Sequence, residues 1–88
     1  MSYSVRFSAS ASARIRQLDN VIARRVLNRI KWLSENFETL SPEPLTGSYA
    51  GLYKVRIGSY RLVYSIDHEE KLLNIILFDH RKDVYRRR

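Results

Sequence analysis

Tyr3-Ser4-Val5-Arg6-Phe7 alternates apolar and polar side chains of strand-favouring type, which predicts a half-buried first strand. Ser8, Ser10 and Ser12 follow, each a residue that can accept a hydrogen bond from a helix N-terminus, and Ile15, Leu18 and Ile22 then recur at helical spacing. Asp19-Asn20 marks a break in that run, so two helices are expected. The second has the clearest period in the chain: Ile22, Val26, Ile30, Leu33 and Phe37 step by three or four along one face, with Arg24, Arg25, Asn28, Lys31 and Glu35 elsewhere. Such a helix packs on something flat. From Glu38 to Ser48 the pattern lapses, and Pro42, Pro44 and Gly47 exclude a helix interior or a central strand. Three strand-like runs come next, Leu52 to Ile57, Tyr60 to Ile66 and Leu72 to Phe78, separated by Gly58-Ser59 and by residues 67–71. The order β-α-α-β-β-β predicts an α+β fold: a mainly antiparallel four-stranded sheet with both N-terminal helices on one face.

Gly58-Ser59 between two alternating runs is a two-residue hairpin signal, and it sets a register. Ile57 faces Tyr60, Arg56 faces Arg61, Val55 faces Leu62 and Lys54 faces Val63. Tyr53, Val55 and Ile57 then share a face with Tyr60, Leu62 and Tyr64, a surface for the helices to cover. Leu52, Lys54 and Arg56 share the other with Arg61 and Val63. One face is expected to be core and the other basic.

With 88 residues there is room for one domain, 1–88, and one core. Apolar residues make up 44% of the chain, enough for it to fold, and the absence of Cys leaves no disulfide or thiolate metal site to support a small core. The longest apolar run, Ile75 to Phe78, is far too short to cross a bilayer, and no charged segment followed by a continuous apolar run opens the chain. The cytoplasm is therefore the expected location. Charge changes the picture more. Sixteen Lys and Arg against nine Asp and Glu give +7, a balance that favours nucleic acid, an acidic protein or an anionic surface as partner.

The cations collect in three places: Arg24/Arg25/Arg29/Lys31, Lys54/Arg56/Arg61, and Arg81/Lys82 with Arg86/Arg87/Arg88. The middle group matters most, because like charges directly opposite in a sheet destabilise it by up to about 1 kcal/mol per pair. An anionic ligand would remove that cost. The chain contains no HxxxH, no CxxC and no Walker-type glycine loop, so neither a metal enzyme nor a nucleoside-triphosphate enzyme is supported, and no cofactor is expected.

Gly51–Tyr64 (GLYKVRIGSYRLVY) and Phe78–Arg86 (FDHRKDVYR) resemble the RelE/ParE superfamily of bacterial type II toxins. Pro44-Leu45-Thr46-Gly47 and Leu18-Asp19 match its usual layout as well, so the resemblance covers nearly the whole chain. RelE-like members cleave mRNA in the ribosomal A site, while ParE-like members poison DNA gyrase on the same fold. The RelE-like reading implies a metal-independent endoribonuclease that inhibits translation. Its 2′-OH attack would leave a 2′,3′-cyclic phosphate and a 5′-OH; the alternative is a gyrase inhibitor.

By that resemblance Lys54 takes the place of the proposed base, Arg61 that of a phosphate clamp, Arg81 that of general acid or charge stabiliser, and Tyr85 that of a residue that stacks on or orients a nucleotide. Flanking cations disfavour the protonated form of a lysine, which gives the crowding of Lys54 by Arg56 and Arg61 a catalytic rationale. Arg56, His80, Lys82 and Arg86 complete the expected RNA-binding set. Where RelE commonly has a lysine this chain has Arg56, which keeps the charge and cannot act as a base at neutral pH. Some relatives use a glutamate and a histidine as the acid–base pair. His80 echoes that histidine, whereas Glu43 lies in the proline segment and matches the carboxylate poorly. The resemblance further implies a RelB-like or similar antitoxin whose acidic, partly disordered segment covers the basic site, and hence a toxin–antitoxin hetero-oligomer.

Overall fold

Ser8 ends the first strand and starts the first helix. Its hydroxyl accepts from the Ala11 N–H and donates to the Ile76 carbonyl, so one side chain caps α1 and ties it to the last strand. The computed structural model describes residues 3–47 and 50–80. The elements are β1 (Ser4–Phe7), α1 (Ala9–Arg16), α2 (Asn20–Glu35), a single 3-10 turn (Phe37–Thr39), β2 (Glu43–Pro44), β3 (Tyr53–Ile57), β4 (Tyr60–Asp67) and β5 (Leu72–His80). The break expected at Asp19 is a cap: its carboxylate accepts from the N–H groups of Val21 and Ile22.

The sheet runs in the order β1-β5-β4-β3-β2, antiparallel except for β1 beside β5. It has five strands where the sequence predicts four. The fifth is the two-residue β2, which pairs Glu43 with Lys54 and Pro44 with Tyr53. A proline is tolerated there because β2 lies at the sheet edge, where its missing N–H breaks no ladder. The β3–β4 register is the expected one, from Ile57 opposite Tyr60 to Lys54 opposite Val63. Gly58 makes the hairpin possible with φ of +60°, a left-handed conformation that L side chains rarely adopt.

Both helices cover one face. Ala11, Ile15, Val26, Ile30, Leu33 and Phe37 bury against Ile57, Leu62, Tyr64, Leu73, Ile75 and Phe78. The opposite face is not uniformly basic as expected. Leu45, just after β2, packs over Val63, which is fully buried, with Leu52 and Leu77 beside them. An alternation read within one hairpin cannot show that the segment before it folds over it.

Tyr64 sits in the main core with its ring edge-on to Phe37 and tilted to Tyr53. Burial, with Tyr53 adding to it, pushes its phenol up to about 12 from an ordinary 10.0. Below about pH 10 the proton is bound in both the folded and unfolded chain, so this group adds no pH dependence there. Between about 10 and about 12 the unfolded chain loses the proton first, and stability should fall with rising pH by roughly 2–3 kcal/mol in total. Urea titrations at either end of that window check the fall; Tyr64→Phe should remove this component of it.

Candidate functional site

Period-two alternation on β3 puts Lys54 and Arg56 on the face away from the helices, and the hairpin register brings Arg61 of β4 directly opposite Arg56. Arg61 in turn lies directly opposite Asp79 of β5. The like-charge pair expected from the hairpin is thus one part of a row, Arg56, Arg61, Asp79, that crosses three strands and ends in a carboxylate.

Asp79 is 3% exposed, and its Oδ1 lies 2.6 Å from an Arg14 guanidinium nitrogen of α1. The same oxygen accepts the His80 N–H. A buried carboxylate held by a charge-assisted bond fixes the end of β5 against α1. Nothing in the local pattern around Arg14 announces this contact, which joins residues 65 positions apart.

Lys54 is half-buried, and its Nζ lies 3.5 Å from the Glu43 carboxylate, its cross-strand neighbour on β2. The proline segment therefore sets a carboxylate beside Lys54, a contact that the sequence does not announce. The two prolines that exclude a central strand are compatible with an edge strand, and that edge strand is what aligns Glu43 with Lys54.

His80 goes elsewhere. It lies opposite Tyr60 on the helix-side face, with the two rings 5.9 Å apart and edge-on. It lines a pocket of about 240 Å³ with Arg14, Gln17, Leu18, Tyr60, Phe78 and Asp79. The β-bulge between Val63 and Tyr64 lets Ile76 slip out of the pairing, after which Leu77 and Asp79 follow the basic face and His80 the helix face. The structure thus brings together Lys54, Arg56 and Arg61, adds Glu43, and separates His80 from them. Arg81, Lys82, Tyr85 and Arg86 lie outside the described residues.

A second depression adjoins Lys54. Between the end of α2, residues 40–43 and the outer edge of β3 is a groove of about 210 Å³, whose lining includes Arg29, Trp32, Glu43, Lys54 and Arg56. Trp32 is 42% exposed, and the Arg29 guanidinium lies 4.6 Å from its ring centroid. Chemically the face offers fixed positive charge for a phosphodiester, with a carboxylate beside Lys54. No helix among the described residues is long and apolar enough to cross a membrane.

The model of the family described as the ParE toxin of the type II toxin–antitoxin system parDE matches residues 5–85. Toxin RelG of Mycobacterium tuberculosis is 37% identical over 93 residues, covering 99% of this chain and 100% of that protein. Among solved structures, the toxin–antitoxin complex RelBE2 of M. tuberculosis superposes with a TM-score of 0.81 at 33% identity, over 94% of this chain and 95% of that one. A mutant of the E. coli toxin RelE in the free state superposes with a TM-score of 0.76 at 23% identity, over 98% of this chain and 93% of that one, a likeness of fold.

Proposed function

Because the chain belongs to the ParE toxin family, within the RelE/ParE superfamily of type II toxins, we propose that it is an endoribonuclease that cuts mRNA on the ribosome. The observation that supports this reading best is the convergence of Lys54, Arg56 and Arg61 on one sheet face, with Glu43 beside Lys54. Binding and blocking an enzyme–DNA complex needs charge complementarity, but it does not need a proton acceptor set among phosphate-binding cations.

In the proposed reaction the 2′-OH of the nucleotide 5′ to the cut gives its proton to Lys54 or Glu43 and attacks the adjacent phosphorus. The P–O5′ bond breaks, leaving a 2′,3′-cyclic phosphate, and the departing 5′-oxygen takes a proton to become a 5′-OH. Arg61 and Arg56 neutralise the charge that grows on the non-bridging oxygens. Arg81 protonates or stabilises the leaving oxygen, and Tyr85 stacks on or orients a nucleotide, as the family resemblance implies; Lys82 and Arg86 add charge along the RNA. The ribosome positions the message, since diffuse cations bind free RNA with little selectivity.

The RelBE2 relative was crystallised with its antitoxin, as were RelE–RelB of Pyrococcus horikoshii and E. coli RelBE. A cognate antitoxin is accordingly the proposed partner of this chain, its acidic segment covering the cationic face.

The test is induction of the wild type beside Arg81→Ala in cells lacking antitoxin, with mRNA 5′ ends mapped on ribosomes. Growth arrest with in-frame cuts, lost in the variant, is the expected result. Arrest without cuts and with DNA-damage signalling would transfer the assignment to gyrase.

A further inference from the structure

Trp32 ends the amphipathic run of α2 on its exposed side, where core packing gives no reason for a large aromatic ring. Its neighbours are more telling. Arg29, one turn earlier, lies over the indole, and the groove that Trp32 lines continues without a break to Glu43, Lys54 and Arg56. The aromatic ring is thus joined by a continuous concave surface to the residues proposed to act on the phosphodiester.

We propose that this groove is a nucleotide subsite, in which a base of the RNA beside the scissile phosphate stacks on the Trp32–Arg29 pair while Arg56 holds the intervening phosphate. The inference rests on the ribonuclease reading and adds to it where the flanking nucleotide goes. Indole and guanidinium each offer a flat face to a base, a platform that tolerates any sequence because every base has a π-face. Three cations, Arg29, Lys54 and Arg56, line the groove against the single carboxylate Glu43, and that carboxylate is engaged by Lys54. The balance suits a polyanion. An acidic protein segment would satisfy the cations equally, but would leave the aromatic face without a planar group to stack on.

Trp32 is the only tryptophan in the chain, so its emission reports on this groove alone. The experiment titrates the full-length chain with a short, fluorescein-labelled RNA oligonucleotide bearing 2′-O-methyl groups, which cannot be cleaved. Binding is followed by anisotropy, and indole emission is followed with the unlabelled oligonucleotide. Saturable quenching that tracks binding is expected, with affinity weakened about tenfold to a hundredfold by Trp32→Ala and largely kept by Trp32→Phe. Because Trp32 is exposed, neither variant threatens the fold. Binding without any change in indole emission, no binding at all, or quenching by a polyglutamate peptide but not by RNA would each overturn the proposal. Quenching without mRNA cleavage on ribosomes would leave the subsite standing and remove the ribonuclease reading; cleavage without quenching would do the reverse.

Discussion

Lys54→Ala should lower the rate of mRNA cleavage on purified ribosomes by roughly a hundredfold to ten-thousandfold, the range that a positioned proton-transfer group contributes. Single-turnover kinetics at saturating ribosome concentration would measure it. Lys54→Arg separates two roles of the side chain. An arginine keeps the positive charge but cannot take the 2′-OH proton, so a loss as large as that of alanine identifies proton transfer, whereas recovery identifies charge stabilisation. Glu43→Gln completes the comparison. Glu43 is exposed and lies at the edge of the sheet, so its loss does not disturb the core, and a fall in the single-turnover rate would make the carboxylate a participant. A rate that survives Glu43→Gln but not Lys54→Arg would place the base at Lys54.

The second large effect is on stability. Arg14→Ala should destabilise the protein by about 2–4 kcal/mol, since it removes the charge-assisted bond to a carboxylate held away from water. Asp79 is buried; Arg14 is partly exposed, which keeps the figure below the upper end for such pairs. Against a total stability of roughly 5–15 kcal/mol this is a large fraction, so the urea midpoint should move well below that of the wild type. Replacing both partners, Arg14→Met with Asp79→Asn, should recover much of the loss, because the desolvated charge is then gone. If the double variant is as unstable as the sum of the two single ones, the pair does not act as a unit.

The elements that could be read in advance are those set by neighbours in the chain. The Asp19 break, the buried stripe Val26, Ile30 and Leu33, and the pairing of Arg56 with Arg61 each follow from a period or a turn spanning a few residues. What escaped were meetings between segments far apart in sequence. Leu45 over Val63, Glu43 beside Lys54, and Arg14 on Asp79 all depend on how a loop or helix returns to the sheet, which no local alternation encodes. The side of the sheet that His80 takes has a related cause. A single bulged residue reverses which face the following side chains occupy, and the bulge leaves no mark in the pattern of residue types.

The parallel pairing of β1 with β5 bears on how the protein is made. The Ser8 hydroxyl donates to a carbonyl 68 positions away, and β1 has β5 as its partner in the sheet. A chain emerging from the ribosome can form α1, α2 and the β3–β4 hairpin early, but it cannot dock β1 until β5 has been synthesised. Contacts of such long separation also slow folding, because the entropy of closing the loop must be overcome before they contribute. The topology therefore holds back completion of the sheet until β5 has been made, after the hairpin that carries Lys54, Arg56 and Arg61 can already have closed.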